Sequence, residues 1–308
     1  MSLFQKASPV DMDGLRQTYP FESHYANLNG HKYHYVDEGS GDPILMVHGN
    51  PTWSFYFREL IKGLKGTHRV IAPDHLGCGL SDKPSLKEYD FTLKSRVFDF
   101  EAFVETLGLD RKITLVVHDW GGMIGMAWAC RHLEQIGRLI ILNTAAFLPP
   151  HGKPLPLRLR LIRKLPWLAV PMVQGLNLFA LSAIFMASNK KLPPIIRKGL
   201  LTPYGSWHNR LATLKFVQDI PLYETDASYD MVETTDRMIG GLSHIPMLIL
   251  WGAKDFVFDR DYYKEWVRRF PEATAKIYED AGHYILEDIP ERVLEEIRMF
   301  LKEHPVAP

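Results

Sequence analysis

Apolar residues in this chain fall into two rhythms. Short unbroken apolar runs occur at 44–47 (Ile44, Leu45, Met46, Val47), 115–117, 139–142 (Leu139, Ile140, Ile141, Leu142) and 247–251, and further strand-like stretches, each with one cation, at 69–73 and 275–278. Such runs are the pattern of parallel strands covered on both faces. Between them the pattern predicts helices over 53–64, 91–107, from Met123 through Ala129, over 261–269, and over 290–301, where Pro290 suits a first helical turn. Near the N-terminus, alternating runs at 25–28 and 32–36 flank Asn29-Gly30, which reads as a hairpin. Strand–helix alternation of this kind predicts an α/β doubly wound core. The alternation stops between 147 and 235, where ten prolines separate helical segments and no strand signal appears. The expected organisation is therefore a core domain of residues 1–146 and 236–308, with a helical cap inserted at 147–235 between the sixth and seventh strands.

One junction organises the rest. Residues 114–126 read TLVVHDWGGMIGM: a buried strand, then His118-Asp119-Trp120-Gly121-Gly122, then a helix. A sharp strand-to-helix turn with one polar side chain at its apex is a nucleophile elbow. The apex residue is Asp119 where Ser is usual. A carboxylate is already ionised at neutral pH, so it can attack a saturated carbon directly and form an ester on the enzyme. The plainer reading is that Asp119 caps the helix.

Composition narrows the field. Among 308 residues, 36 Lys and Arg balance 36 Asp and Glu, which argues against a nucleic-acid binder. Neutrality also offers little repulsion against self-association, so a homo-oligomer is open. Cys78 and Cys130 are far apart and no metal-ligand cluster occurs, so free thiols and a reaction without metal or cofactor are expected. No signal-peptide pattern opens the chain and no apolar run approaches about 18 residues. The expectation is a cytoplasmic protein without a membrane span. The glycine-rich loop 74–82 lacks the Lys-Ser/Thr of a phosphate-binding loop, and Asp74 and Asp82 read as turn-holding residues. In the cap, Arg158, Arg160, Arg163 and Lys164 alternate with leucines. They read as a solvated helix face, with a docking surface for an anionic partner as the alternative.

Ligands of open parallel sheets sit beyond the carboxyl ends of the strands. There the sequence delivers Asn50 after the third strand, Asp119 and Trp120 after the fifth, Asp255 after the seventh and His283 after the eighth. The chain order nucleophile, acid, His is that of hydrolases built on such elbows. Singly, each has an ordinary explanation: Asp255 as a turn or cap, His283 as one of 13 histidines, Asn50 as a turn before Pro51, and Trp120 as core. His48, His75 and His118 are read as structural.

With these residues in place the chain resembles the α/β-hydrolase superfamily, and within it the haloalkane dehalogenases. The resemblance rests on HGNPTW (48–53), DHLGCGLSDKP (74–84), VVHDWGG (116–122), WGAKD (251–255) and AGHY (281–284). It implies an eight-stranded, mostly parallel sheet with helices on both faces and a helical cap. It implies Asp119 as nucleophile, His283 as base and Asp255 as the acid orienting it. The side chains of Asn50 and Trp120 are the implied halide donors, and their backbone N–H groups the implied oxyanion hole. The loop 143–147 carries no carboxylate, which sets aside the branch with a Glu after the sixth strand. The remaining pattern resembles a third branch that also includes the β-lactone decarboxylases of bacterial olefin synthesis; HDWGGMIGM, LNTAAF and FVQDIPL are particularly similar to those.

The first reading from this resemblance is therefore a dehalogenase: a haloalkane gives an alkyl ester at Asp119, hydrolysed by His-activated water to alcohol and halide ion. The alternative is a lyase that converts a long-chain β-lactone to a cis-alkene and carbon dioxide. Trp167, Phe179, Trp207 and Phe147 are the candidate pocket residues, with Phe185, Met172 and Met186 able to join them. An epoxide hydrolase, which needs cap tyrosines such as Tyr204, Tyr223 or Tyr229, and a non-catalytic small-molecule receptor follow behind. Docking with other pathway enzymes remains open.

Overall fold

The computed structural model describes residues 9–306. Eight strands form one sheet: β1 (His24–Leu28), β2 (His31–Glu38), β3 (Pro43–Val47), β4 (Arg69–Pro73), β5 (Ile113–Asp119), β6 (Ile136–Thr144), β7 (Met247–Gly252) and β8 (Thr274–Tyr278). Their order is β1-β2-β4-β3-β5-β6-β7-β8. β2 runs antiparallel to both β1 and β4, and every later pairing is parallel. The β1–β2 turn is the expected Asn29-Gly30, both at positive φ (52° and 88°).

The central strands are apolar throughout because both of their faces are covered. Every residue of β3 and β5 is buried. On one face Leu45, Val47, Leu115 and Val117 pack with α2 (Leu93–Thr106) and α3 (Trp120–Ala129). On the other, Ile44, Met46 and Val116 pack with α1 (Arg58–Leu64) and the C-terminal helix 290–303. Period-2 alternation along each strand thus divides one sheet between two cores.

Several boundaries differ from the sequence reading, three of them near the site. The helix expected over 53–64 begins with a tight turn at Ser54–Phe57 before α1. α2 begins at Leu93, where the side chain of Thr92 accepts a hydrogen bond from Ser95 N, a standard N-cap. α3 begins at Trp120, directly after the apex, and not at Met123. Its early start is possible because Gly121 lies against β3: a Cβ there would fall 1.9 Å from the Val47 carbonyl oxygen.

Between β6 and β7 the described residues contain helices and no strand: α4 (Leu157–Lys164), α5 (Pro166–Ala169) continuing into a wide turn at Val170–Gly175, α6 (Leu178–Met186), α7 (Pro194–Leu201), α8 (Leu211–Gln218) and α9 (Tyr229–Met238). α9 runs across position 235, which the sequence reading took as the cap's end. After β7 come α10 (Arg260–Arg269), α11 (Ile285–Asp288) and α12 (Pro290–Glu303). No single described helix is long and apolar enough to cross a membrane.

Candidate active site

Asp119 ends β5 with φ 53° and ψ −129°, a conformation that L-residues avoid and that functional turns hold under strain. Its surroundings enforce it. The Thr144 hydroxyl donates to the Asp119 carbonyl, and Trp266 Nε1 donates to the Thr144 carbonyl at 2.8 Å. Gly49 leaves the room the carboxylate occupies: a Cβ there would sit 2.0 Å from Asp119 Oδ1. The cap reading of Asp119 fails, since its side chain accepts no hydrogen bond from its own helix. Instead Oδ1 accepts from the backbone N–H of Asn50 at 2.7 Å.

His283 faces the other carboxylate oxygen, its Nε2 3.3 Å from Asp119 Oδ2. Its Nδ1–H donates to Asp255 Oδ2 at 2.7 Å. Asp255 is immobilised: Oδ1 accepts from Val257 N (2.7 Å) and Phe258 N (3.0 Å), and Oδ2 also accepts from Asn143 Nδ2 (2.9 Å). Asn143 is itself tied to β7, donating to the Gly252 carbonyl and accepting from Gly252 N at 2.8 Å. From below, His118 Nε2 donates to the His283 carbonyl at 2.9 Å. Burial lowers His118 to about 3, so it is a neutral brace for the His283 loop. The N–H of Gly282 in that loop donates to buried Asp288 at 2.7 Å, and Asp288 also accepts from Ser188 and from Asn189 N of the cap.

The electrostatics follow from this packing. Burial alone would raise the Asp119 carboxyl. The hydrogen bond and charge of His283 and the Asn50 amide outweigh it and hold Asp119 below the usual carboxylate value. Burial alone would lower His283. The carboxylates of Asp255 and Asp119 outweigh that and push it up to about 10. The resting site is therefore a carboxylate–imidazolium–carboxylate array.

Asn50 and Trp120 flank the carboxylate and line the same cavity as Asp119 and His283. Asn50 Nδ2 donates to the Thr213 carbonyl of α8 at 3.1 Å. That fixes the amide orientation and leaves its second N–H as the available donor. The described hydrogen bonds include none to the indole N–H of Trp120, whose ring packs at 5.2 Å from Phe216. The cavity measures about 680 Å³, within the usual range for small-ligand pockets of about 300–1,000 Å³. Its charged lining is Asp119, His283 and Arg158; nearly all the rest is apolar.

Of the candidate pocket residues, Phe147 and Phe179 line the cavity, as do Met172, Phe185 and Met186. Trp167 and Trp207 do not. Trp167 lies 74% exposed on α5, pointing away from the interior, and Trp207 packs near Gly175 on the flank of the cap. Asp74 and Asp82 hold turns: Asp74 accepts from Ser54 N and Leu80 N, and Asp82 from Lys32 N. Cys78 and Cys130 are both buried and free, and the described residues contain no metal-binding cluster. Sequence reasoning missed Asn143, Thr144, Asp288 and Thr213. The first two carried a signal, being a polar pair that closes the otherwise apolar run of β6.

Residues 42–290 match the family model of the alpha/beta hydrolase fold. The chain belongs to that family. It is 47% identical over 285 residues to the cis-3-alkyl-4-alkyloxetan-2-one decarboxylase of Shewanella oneidensis, covering 92% of this chain and 89% of the relative. The Xanthomonas campestris protein of the same name is 39% identical, with 88% and 93% covered. Haloalkane dehalogenase 2 of Mycobacterium tuberculosis is 32% identical over 288 residues, with 92% and 96% covered. Among solved structures, a mutant of the haloalkane dehalogenase DatA from Agrobacterium tumefaciens superposes with a TM-score of 0.80 at 25% identity, covering 91% of this chain and 96% of that one. The two decarboxylases, at 47% and 39%, stand above the dehalogenase, at 32%, in identity.

Proposed function

We propose that this hydrolase-fold enzyme opens a cis-3,4-dialkyl oxetan-2-one at Asp119 and releases carbon dioxide and a cis-alkene. The observation that carries the reading is the 47% identity, across nine-tenths of the chain, to a protein named for that reaction. The cavity supports it: about 680 Å³ of nearly uncharged space beside one carboxylate suits two alkyl chains better than a small haloalkane.

The residues supply a balanced route. Oδ1 of Asp119 is held by the Asn50 N–H, so Oδ2 attacks the saturated, alkyl-bearing ring carbon bonded to the ring oxygen. The C–O bond breaks, and the ring oxygen leaves as a carboxylate towards the Asn50 amide and the Trp120 indole. Each such donor is worth about 3 kcal/mol where charge develops. Inversion at that carbon sets the new ester antiperiplanar to the freed carboxylate while the two alkyl chains stay on one side. Collapse then breaks the carbon–carboxylate bond, forms a cis double bond and expels Asp119 as carboxylate. No proton moves and no water is consumed. His283 works as an imidazolium that stabilises the departing Asp119 carboxylate, held protonated by Asp255.

Dehalogenation uses the same first step but needs neutral His283 to activate water, against its raised value of about 10. Loss of the Asp119 charge on alkylation lowers that value, so a slow halide release is an expected side activity. The tyrosines named for the epoxide reading, Tyr204, Tyr223 and Tyr229, do not line the cavity, and the two that do, Tyr262 and Tyr284, lie outside the cap. The test runs a long-chain cis-β-lactone and 1-bromobutane in parallel, with gas chromatography for alkene and carbon dioxide and a halide assay. Alkene formation far outpacing halide release is expected. Halide release with no alkene overturns the proposal.

A further inference from the structure

The charge of the chain is unevenly placed. From residue 147 to 218 there are eleven Lys and Arg and no Asp or Glu, although the whole chain is neutral. Several of these cations are already used. Lys153 pairs with Asp259 and Asp261, and Arg163 with Asp226. Lys198 donates to the Asp13 carbonyl, and Arg210 to backbone carbonyls. Arg158, Arg160 and Lys164 on α4 are exposed and, among the described residues, have no carboxylate partner.

The same short region carries a cluster of exposed large apolar side chains. Leu157 is 67% exposed, Trp167 74%, Leu176 65% and Phe185 67%. Leu161 and Leu178 are exposed as well. An isolated exposed Leu needs no explanation, but a contiguous patch does. The cavity ties the patch together: Arg158, Leu161, Leu178 and Phe185 line it while also facing solvent, and Leu157, Trp167 and Leu176 each lie within two residues of a lining residue. The first four are therefore the rim of its mouth. Arg158 bridges that rim, its guanidinium donating to Met186 Sδ at 2.8 Å from α4 to α6. Beside it, residues 166–175 and 178–186 form a pair of apolar segments bent by 73°.

We propose that the cavity mouth docks on an anionic lipid bilayer. Trp167, Leu157, Leu176 and Phe185 enter the boundary between headgroups and acyl chains. Arg158, Arg160 and Lys164 meet lipid phosphates, their stems lying along the apolar surface. Two observations favour a bilayer over an acidic protein. A protein partner offers both signs of charge, whereas the segment that carries this face has no acid over 72 successive residues, which suits a uniformly anionic plane. The most exposed large side chain of the patch is an indole, which suits an interface with one wet and one apolar side. Insofar as the reading of a two-chain lactone substrate holds, the mouth opens where such a substrate partitions, and it passes from lipid to Asp119 without crossing water.

The experiment measures binding alone, so it is independent of which reaction Asp119 performs. Purified full-length protein is sedimented with vesicles of phosphatidylcholine, and with equimolar phosphatidylcholine and phosphatidylglycerol, at low and high salt and without substrate. Binding to the anionic vesicles is expected, weakening at high salt. Each surface cation contributes about fivefold in partitioning, so R160Q/K164Q is expected to weaken it on the order of twentyfold, and adding Trp167→Ser to weaken it further. None of these three residues lines the cavity, and an unchanged melting temperature verifies that the variants fold. No binding to anionic vesicles overturns the proposal, as does equal binding by the folded triple variant. Binding to polyglutamate but not to vesicles also overturns it and assigns the surface to an acidic protein.

Discussion

Replacing Asn143 with Ala tests whether Asp255 is held as described. Asn143 is fully buried and makes three hydrogen bonds: to Asp255 Oδ2 at 2.9 Å, to the Gly252 carbonyl at 3.1 Å, and from Gly252 N at 2.8 Å. The bond to a carboxylate is worth about 1.5–3 kcal/mol, and a buried N–H left without a partner costs about 1–3 kcal/mol. The sum is about 2.5–6 kcal/mol, which for a chain of this size lowers the melting temperature by roughly 4–10 °C. Asp255 keeps its bonds from Val257 N and Phe258 N, so it stays near His283 and some activity survives. A loss of about tenfold in kcat corresponds to 1.4 kcal/mol of misplacement at the transition state. Differential scanning calorimetry and steady-state rates on the same preparation measure both. A melting temperature within 1 °C of the parent, or an unchanged kcat, refutes the role given to Asn143.

Other outcomes follow from the same geometry. Asp119→Asn abolishes turnover of lactone and haloalkane alike, since the amide cannot attack; residual alkene formation in that variant contradicts the mechanism. His283→Ala leaves two buried carboxylates without their cation, which costs about 3–5 kcal/mol, and chemical denaturation measures it. Gly49→Ala puts a methyl within 2.0 Å of the Asp119 carboxylate; activity is expected to fall by at least about a hundredfold, the scale of a 1 Å misplacement, while circular dichroism still reports a folded chain. The pH dependence has a fixed sign. His283 is raised from 6.5 to about 10, so its stabilisation is complete below pH 6.5 and is lost as pH rises towards about 10. Melting temperatures across that window are expected to fall in the parent and to fall less in His283→Gln; parallel slopes refute the assignment.

Much of this was legible in the chain. Unbroken apolar runs located the central strands because a sheet covered on both faces has no polar side to show. Asp119, Asp255 and His283 were legible because strand ends in a parallel sheet converge, so three loops far apart in sequence name one place. What the sequence did not reveal were groups that act on the site only by holding another residue. Asn143 looked like the absence of a carboxylate, yet it holds Asp255. Thr213 gave no signal at all, because its contribution to Asn50 is a carbonyl that any residue possesses. The cap was hardest to read. An apolar residue there can face the cavity, like Phe179, or solvent, like Trp167, and broken helices with many prolines supply no steady period to separate the two. The basic face of α4 was visible as a pattern, but its meaning depended on finding the cavity mouth beside it.

The most direct measurement is turnover of a long-chain cis-β-lactone in heavy-oxygen water, followed by mass spectrometry of the products and of the peptide containing Asp119. Cis-alkene and carbon dioxide are expected in equal amounts with no heavy oxygen in Asp119, because the carboxylate that attacks is the carboxylate that leaves. Heavy oxygen in Asp119, or a 3-hydroxy acid in place of the alkene, would mean that water attacks an ester at this site and would contradict the proposed mechanism.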